Sequence, residues 1–189
     1  MDSTFVDRLD QLGFFKYATS AQREDAKRQF KDIGSAAIYE ETGRLFRADA
    51  ESLAEDGVGD FLREIEPFLR KQGVTISQIE DQFHDSDYSV TVNGVDYLIY
   101  NADELKLDQQ NLASIWGLAM VRSFAIVNEL LANAKSDEQL YAVNGGNDLF
   151  GIFLTPELRD AVCNLPGLTL QDRPYVPKEE HSWYGQEHD

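Results

Sequence analysis

Cysteine occurs once in these 189 residues, at Cys163, so an internal disulfide framework is excluded. Histidine occurs three times and methionine and tryptophan twice each, which leaves few imidazoles for acid–base work and few soft metal ligands. No nucleophile-elbow, P-loop, dinucleotide-binding or HExxH pattern is present. The largest deficit is in basic residues: 17 Lys and Arg stand against 34 Asp and Glu, a formal net charge of −17. Phosphates and anionic lipid would be repelled, so nucleic acid and membrane surfaces are disfavoured as partners.

The start of the chain also lacks a secretory pattern. Met1 is followed by Asp2, Asp7 and Asp10, with no basic or apolar region of the kind that directs export. With a single thiol, this sets the expectation of a cytoplasmic, bacterial protein. The hydrophobic content of 42% is ordinary for a globular core, and no repeat or low-complexity tract interrupts it.

What is present is organised around residues 88–134. Asn93-Gly94 supplies the two left-handed positions of a type I′ turn, so Tyr88–Tyr100 reads as a hairpin. Its register sets Val92 opposite Val95, Val90 opposite Tyr97 and Tyr88 opposite Ile99 on a core face. Ser89, Thr91, Asp96, Leu98 and Tyr100 fall on the other, half-exposed face. Apolar residues then recur at helical spacing from Leu112 to Ala134, with Asp108 as a candidate N-cap and only Arg122 and Glu129 charged. The uncharged run before Arg122 is shorter than the ~20 residues of a membrane span, so this segment reads as a buried central helix.

Helical stripes also mark residues 3–17 and 20–33, the latter ended by Gly34. Ala36–Glu40 and Arg44–Arg47 read as a short hairpin. Asp60–Gln72 reads as a helix in which Pro67 calls for a kink or a late start. Val74–Phe83 reads as a strand, followed by a turn at His84–Asp87. Leu140–Val143 and Leu149–Leu154 read as a second hairpin across Asn144–Asp148. Thr155-Pro156-Glu157 opens a last helix with an N-cap, a proline at the first position and an acid at the positive end of the dipole. From Gln171 the chain, with Pro174 and Pro177, reads as extended and partly mobile. The expected fold class is α+β: an antiparallel sheet of about five to seven strands on a long central helix, with an N-terminal helical lead. The expected division is residues 1–35, 36–170 and 171–189, for lead, main domain and tail.

From residue 60 the order is helix, three strands, helix, two strands, helix. That order, with the acidity, resembles the small acidic chaperones of type III secretion effectors. The resemblance covers about 105 residues and carries no motif. It implies a homodimer that holds an extended partner polypeptide.

The acids are unevenly placed. Residues 1–35 hold six acids and six bases, whereas residues 72–134 hold nine acids against Lys106 and Arg122. An excess of carboxylates steers and occludes a cationic partner. The expected function is therefore a non-enzymatic protein-binding module: an immunity protein facing a basic toxin, or a secretion-chaperone-like escort. Glu80, Asp81, Asp85, Asp87 and Tyr100 are its candidate contacts. The alternative is a small-ligand or enzymatic domain. It would use Arg122, which needs Glu129, Asp96 or Tyr97 as a partner if buried, and the glycine-rich loop Asn144, Gly145, Gly146, Asn147 and Asp148. Cys163 reads as a buried structural cysteine. The oxygen-rich groups around His84 and at 144–148 do not match calcium-loop spacing, and His181 with His188 is a weak pair. No metal or cofactor is expected.

Overall fold

Asn93 and Gly94 both lie in the left-handed region, at φ 53° and 81°, as a type I′ turn demands. They join β3 (Asp87–Val92) to β4 (Val95–Tyr100), and β2 (Ile79–His84) pairs with the other side of β3 through a turn at Asp85. In the computed structural model, which describes residues 3–33, 39, 42–181 and 183–187, these strands form one antiparallel sheet. A second antiparallel sheet has the order β1-β6-β5, where β1 is Leu45–Arg47, β5 Gln139–Val143 and β6 Phe150–Leu154. Tyr175 adds an antiparallel bridge to Ala142 on the free edge of β5.

The chain is α+β with a long central helix, but among the described residues the expected single sheet is two three-stranded ones. The reason lies in the helix itself. α6 (Ile115–Asn133) packs against β4, against β5 and against α3 (Ala50–Ala54), so the sheets meet across a helix and not edge to edge. By length and composition α6 could cross a bilayer, with a mean hydropathy of 1.4. Here Phe124, Val127 and Leu131, at most 1% exposed, fill the core between the sheets together with α4 (Val58–Lys71). α4 starts earlier than expected and runs on through Pro67, which forfeits one backbone hydrogen bond without ending the helix.

Ser114, not Asp108, caps α6, accepting from Gly117 N at 3.3 Å. Asp108 still accepts from Ile115 N at 3.1 Å. It belongs to α5 (Ala102–Gln109), a helix opened by a reciprocal capping box between Asn101 and Glu104.

The second sheet is buried on both faces, which is why its strands read as unbroken apolar runs. Leu140, Ala142 and Phe153 face the first core. Tyr141, Val143, Ile152 and Leu154 face a second core closed by α1 (Ser3–Gln11), Phe14, Phe15 and α7 (Pro156–Cys163). Val6, Leu9, Phe14 and Phe15 are at most 3% exposed. At about 1.5–3 kcal/mol per buried large apolar side chain, they bind the N-terminal segment firmly. α2 (Ser20–Ile33) packs on α1, tied by Arg23 and Lys27 to Asp10.

β1 pairs antiparallel with β6. The proposed partner strand Ala36–Glu40 lies outside the described residues except Tyr39, as do Gly34 and His188. The residues from Gln171 are extended but docked: Asn144 N donates to Gln171 O, and Tyr175 and Gln186 are only 7% and 3% exposed.

At the heart of the joint between the N-terminal segment and the sheets lies an ion pair with no local signature. Arg44 is 0% and Glu138 1% exposed. Arg44 Nη1 donates to Glu138 at 2.8 Å and to Phe153 O at 2.8 Å, Nε to Phe14 O at 2.7 Å and Nη2 to Gly13 O at 2.9 Å. Tyr17 stacks 4.6 Å beneath the guanidinium and donates its hydroxyl to Glu138, while Lys16 Nζ reaches the same carboxylate at 2.7 Å. Nearly every donor and acceptor is used, as a buried charge requires.

Candidate functional site

The expected acidic contact surface folds into the β2-β3-β4 sheet, and its four acids separate into two kinds. Asp81 points toward α4, where it accepts from Gly59 N at 2.9 Å and from the Tyr88 hydroxyl at 2.7 Å. A Cβ on Gly59 would come within 1.9 Å of the Asp81 carboxylate, so glycine is what allows this approach to the helix start. Tyr88 also accepts from Val58 N at 3.1 Å; burial first, and then the bond to Asp81, pushes its hydroxyl pKa far up. Asp87 accepts from Ala102 N at 2.7 Å and so anchors α5. Both carboxylates are structural joints. Glu80 and Asp85 are exposed, and their carboxylates carry no hydrogen bond or ion pair among the described residues.

Tyr100 is not on the exposed face, where the simple hairpin alternation would place it. The register slips by one residue: Ser89 opposes Leu98 but Tyr88 opposes Tyr100, not Ile99. This bulge turns Tyr100 inward, where it is 6% exposed and donates to Ala54 O at 3.0 Å. The outer face therefore carries Glu80, Gln82 and His84 from β2, Ser89 and Thr91 from β3, and Asp96 and Leu98 from β4. Thr91 accepts from Gln82 and donates to Asp96. Leu98 is 47% exposed, and Phe83, stacked on Tyr88, is 54% exposed at the end of the sheet.

Arg122 finds partners other than those expected. Its guanidinium donates to both oxygens of Glu104 at 2.7 and 3.0 Å, to Glu179 at 2.7 Å and to Ile99 O at 3.0 Å. Glu129 instead accepts from the Tyr97 hydroxyl at 3.2 Å. The bidentate bond from Arg122 outweighs burial and holds the Glu104 carboxyl below its ordinary range.

The Asn144–Asp148 loop is covered. The Tyr184 ring lies over Gly145 and Gly146, and Cβ atoms there would meet it at 2.7 and 3.3 Å. Asn144 O accepts from the Tyr175 hydroxyl at 2.7 Å, and Asn147 donates to Glu51 at 3.2 Å. Arg122 and this loop are thus linked through the C-terminal segment, which already occupies both. Cys163 is half-buried, with burial pushing its thiol up and Sγ 3.6 Å from Pro174 O. Among the described residues no three of His, Cys, Asp and Glu converge as metal ligands.

A feature with no signal in the linear sequence is an open cleft of about 710 Å³ between α7 and residues 170–187. Comparison with known proteins returns no matching family model, no matching curated protein and no matching solved structure.

Proposed function

We propose that this chain is a non-enzymatic cytoplasmic protein-binding module that takes a basic protein partner on the outer face of the β2-β3-β4 sheet. The observation that carries the reading is charge: between Lys71 and Lys106 there are seven acids and no lysine or arginine, and five of them, Glu80, Asp81, Asp85, Asp87 and Asp96, lie in the β2-β3-β4 sheet and its turn. Glu80 and Asp85, uncommitted to the fold, are its contacts, with Asp96 across Thr91 from Glu80 and Leu98 as an apolar anchor. A field of this sign raises the association rate of a cationic partner and orients it before contact. An immunity protein that neutralises a basic toxin is the most concrete form; an escort for a basic segment uses the same surface. The small-ligand reading is less well supported, because Arg122 and the 144–148 loop are engaged by the chain's own groups.

The test is capture from native lysate at low and high salt, by the wild-type chain and by Glu80→Lys/Asp85→Lys. These two acids leave the Asp81 and Asp87 joints intact. The expected result is one basic protein that the wild type retains at low salt and loses at high salt, and that the variant fails to capture. Equal capture of that protein by both chains would overturn the assignment of the face.

A further inference from the structure

We propose that the cleft between α7 and residues 170–187 binds a small phosphate ester that also carries a hydroxyl group. This site is separate from the acidic sheet and does not depend on it. In a chain with a net charge of −17, Arg159, Arg173 and Lys178 converge on one cleft, with His181 beside them. Two acids, Asp160 and Glu187, also line it. Asp160 engages Arg159 through Nη1 at 3.1 Å, and Nε of Arg159 donates to Pro174 O at 3.1 Å. Among the described residues, Nη2 of Arg159 and the guanidinium of Arg173 have no hydrogen bond or ion pair. Lys178 Nζ stands 3.9 Å from Glu180, both side chains more than half exposed, a contact of little energetic weight. Three cations approaching from α7 and from the C-terminal segment suit a tetrahedral group of charge near −2 better than a planar monoanion.

The second observation is a buried acceptor with no donor. Gln186 is 3% exposed and lines the cleft; its Nε2 donates to Leu170 O at 2.8 Å, and its Oε1 has no partner among the described residues. Rotating the amide would set two oxygens against each other at Leu170, so the orphan is fixed as an acceptor. Buried polar atoms without partners are rare and mark a missing group. Phosphate has no donor to offer here when doubly ionised; a hydroxyl on the same ligand does. Leu170 and Val176, 43% and 45% exposed, supply apolar wall for the carbon skeleton between the two polar ends. A volume of about 710 Å³ is that of a small-molecule pocket.

The test is a titration of the intact chain followed by amide chemical shifts in 1H–15N NMR. The probes are glycerol 3-phosphate, which carries hydroxyls, and ethyl phosphate, which carries none. The expected result is saturable shifts confined to α7 and residues 170–187, with glycerol 3-phosphate about five- to tenfold tighter. Arg173→Ala/Lys178→Ala, at two exposed positions, is expected to weaken both probes by at least about tenfold. Gln186→Met is expected to bring glycerol 3-phosphate down to the level of ethyl phosphate. No saturable shift with either probe, or unchanged affinity in the double variant, would overturn the site. Equal affinity of the two probes for the wild type would overturn the hydroxyl's role.

Discussion

Replacing Glu138 with alanine leaves Arg44 as an uncompensated charge in a site where it is 0% exposed. The three carbonyls of Gly13, Phe14 and Phe153 still accept from the guanidinium, but none carries a full negative charge. Lys16 and the Tyr17 hydroxyl lose their shared acceptor at the same time. Removing one member of a buried pair costs about 3–5 kcal/mol. For a chain of this size that is about 6–20 °C in Tm, taking about 2–4 °C per kcal/mol. The total stability of such a domain is about 5–15 kcal/mol, so Glu138→Ala approaches the threshold of folding. Urea unfolding followed by tryptophan fluorescence and far-UV circular dichroism reads the loss. Arg44→Met/Glu138→Leu provides the control, since replacing both charges by apolar groups is expected to recover much of it. A loss below about 1 kcal/mol for Glu138→Ala would refute the reasoning, because a pair worth that little behaves as a surface contact.

Tyr88→Phe removes the acceptor of Val58 N and a donor to Asp81; a loss of about 1–3 kcal/mol with an unchanged denaturant slope is expected, and an unchanged midpoint would contradict that joint. Glu104 is held below its usual 4.5 by Arg122, so its contribution is complete above that value and fades as pH falls through the lower folded pKa. Glu104→Gln should therefore be less stable than wild type at neutral pH, with the gap closing in acid; a gap that widens in acid has the wrong sign. Burial raises the Cys163 thiol, so alkylation by iodoacetamide at neutral pH should be slow in the native chain and fast in urea, and equal rates would contradict it.

The local parts of this fold were legible because they are written in adjacent residues. Asn93-Gly94 names its turn, Thr155-Pro156-Glu157 names a helix start, and the apolar stripe after Leu112 names the central helix. The capping box that opens α5, Asn101 with Glu104 three residues on, has an equally local pattern that sequence reasoning missed. Other features depend on pairs far apart in the chain. Nothing near Arg44 announces Glu138, and nothing in β1 announces β6 as its partner. The placement of Tyr100 failed for a smaller reason: strict alternation allows no bulge, and one extra residue at Ile99 turned the ring inward. For the candidate surface, the acidity of residues 80–87 was readable, but which carboxylates serve the fold required the positions of Gly59 and Ala102. The cationic cleft has no sequence signal, since Arg159, Arg173, Lys178 and Gln186 are scattered along the final 31 residues.

The central claim is that the outer face of the β2-β3-β4 sheet contacts a basic protein. Hydrogen–deuterium exchange of the full chain, with and without the partner captured in the salt-dependent pull-down, tests it most directly. The account predicts added protection within residues 79–98 and none at α7. Protection confined to α7 and residues 170–187, or absent from the sheet, would contradict it.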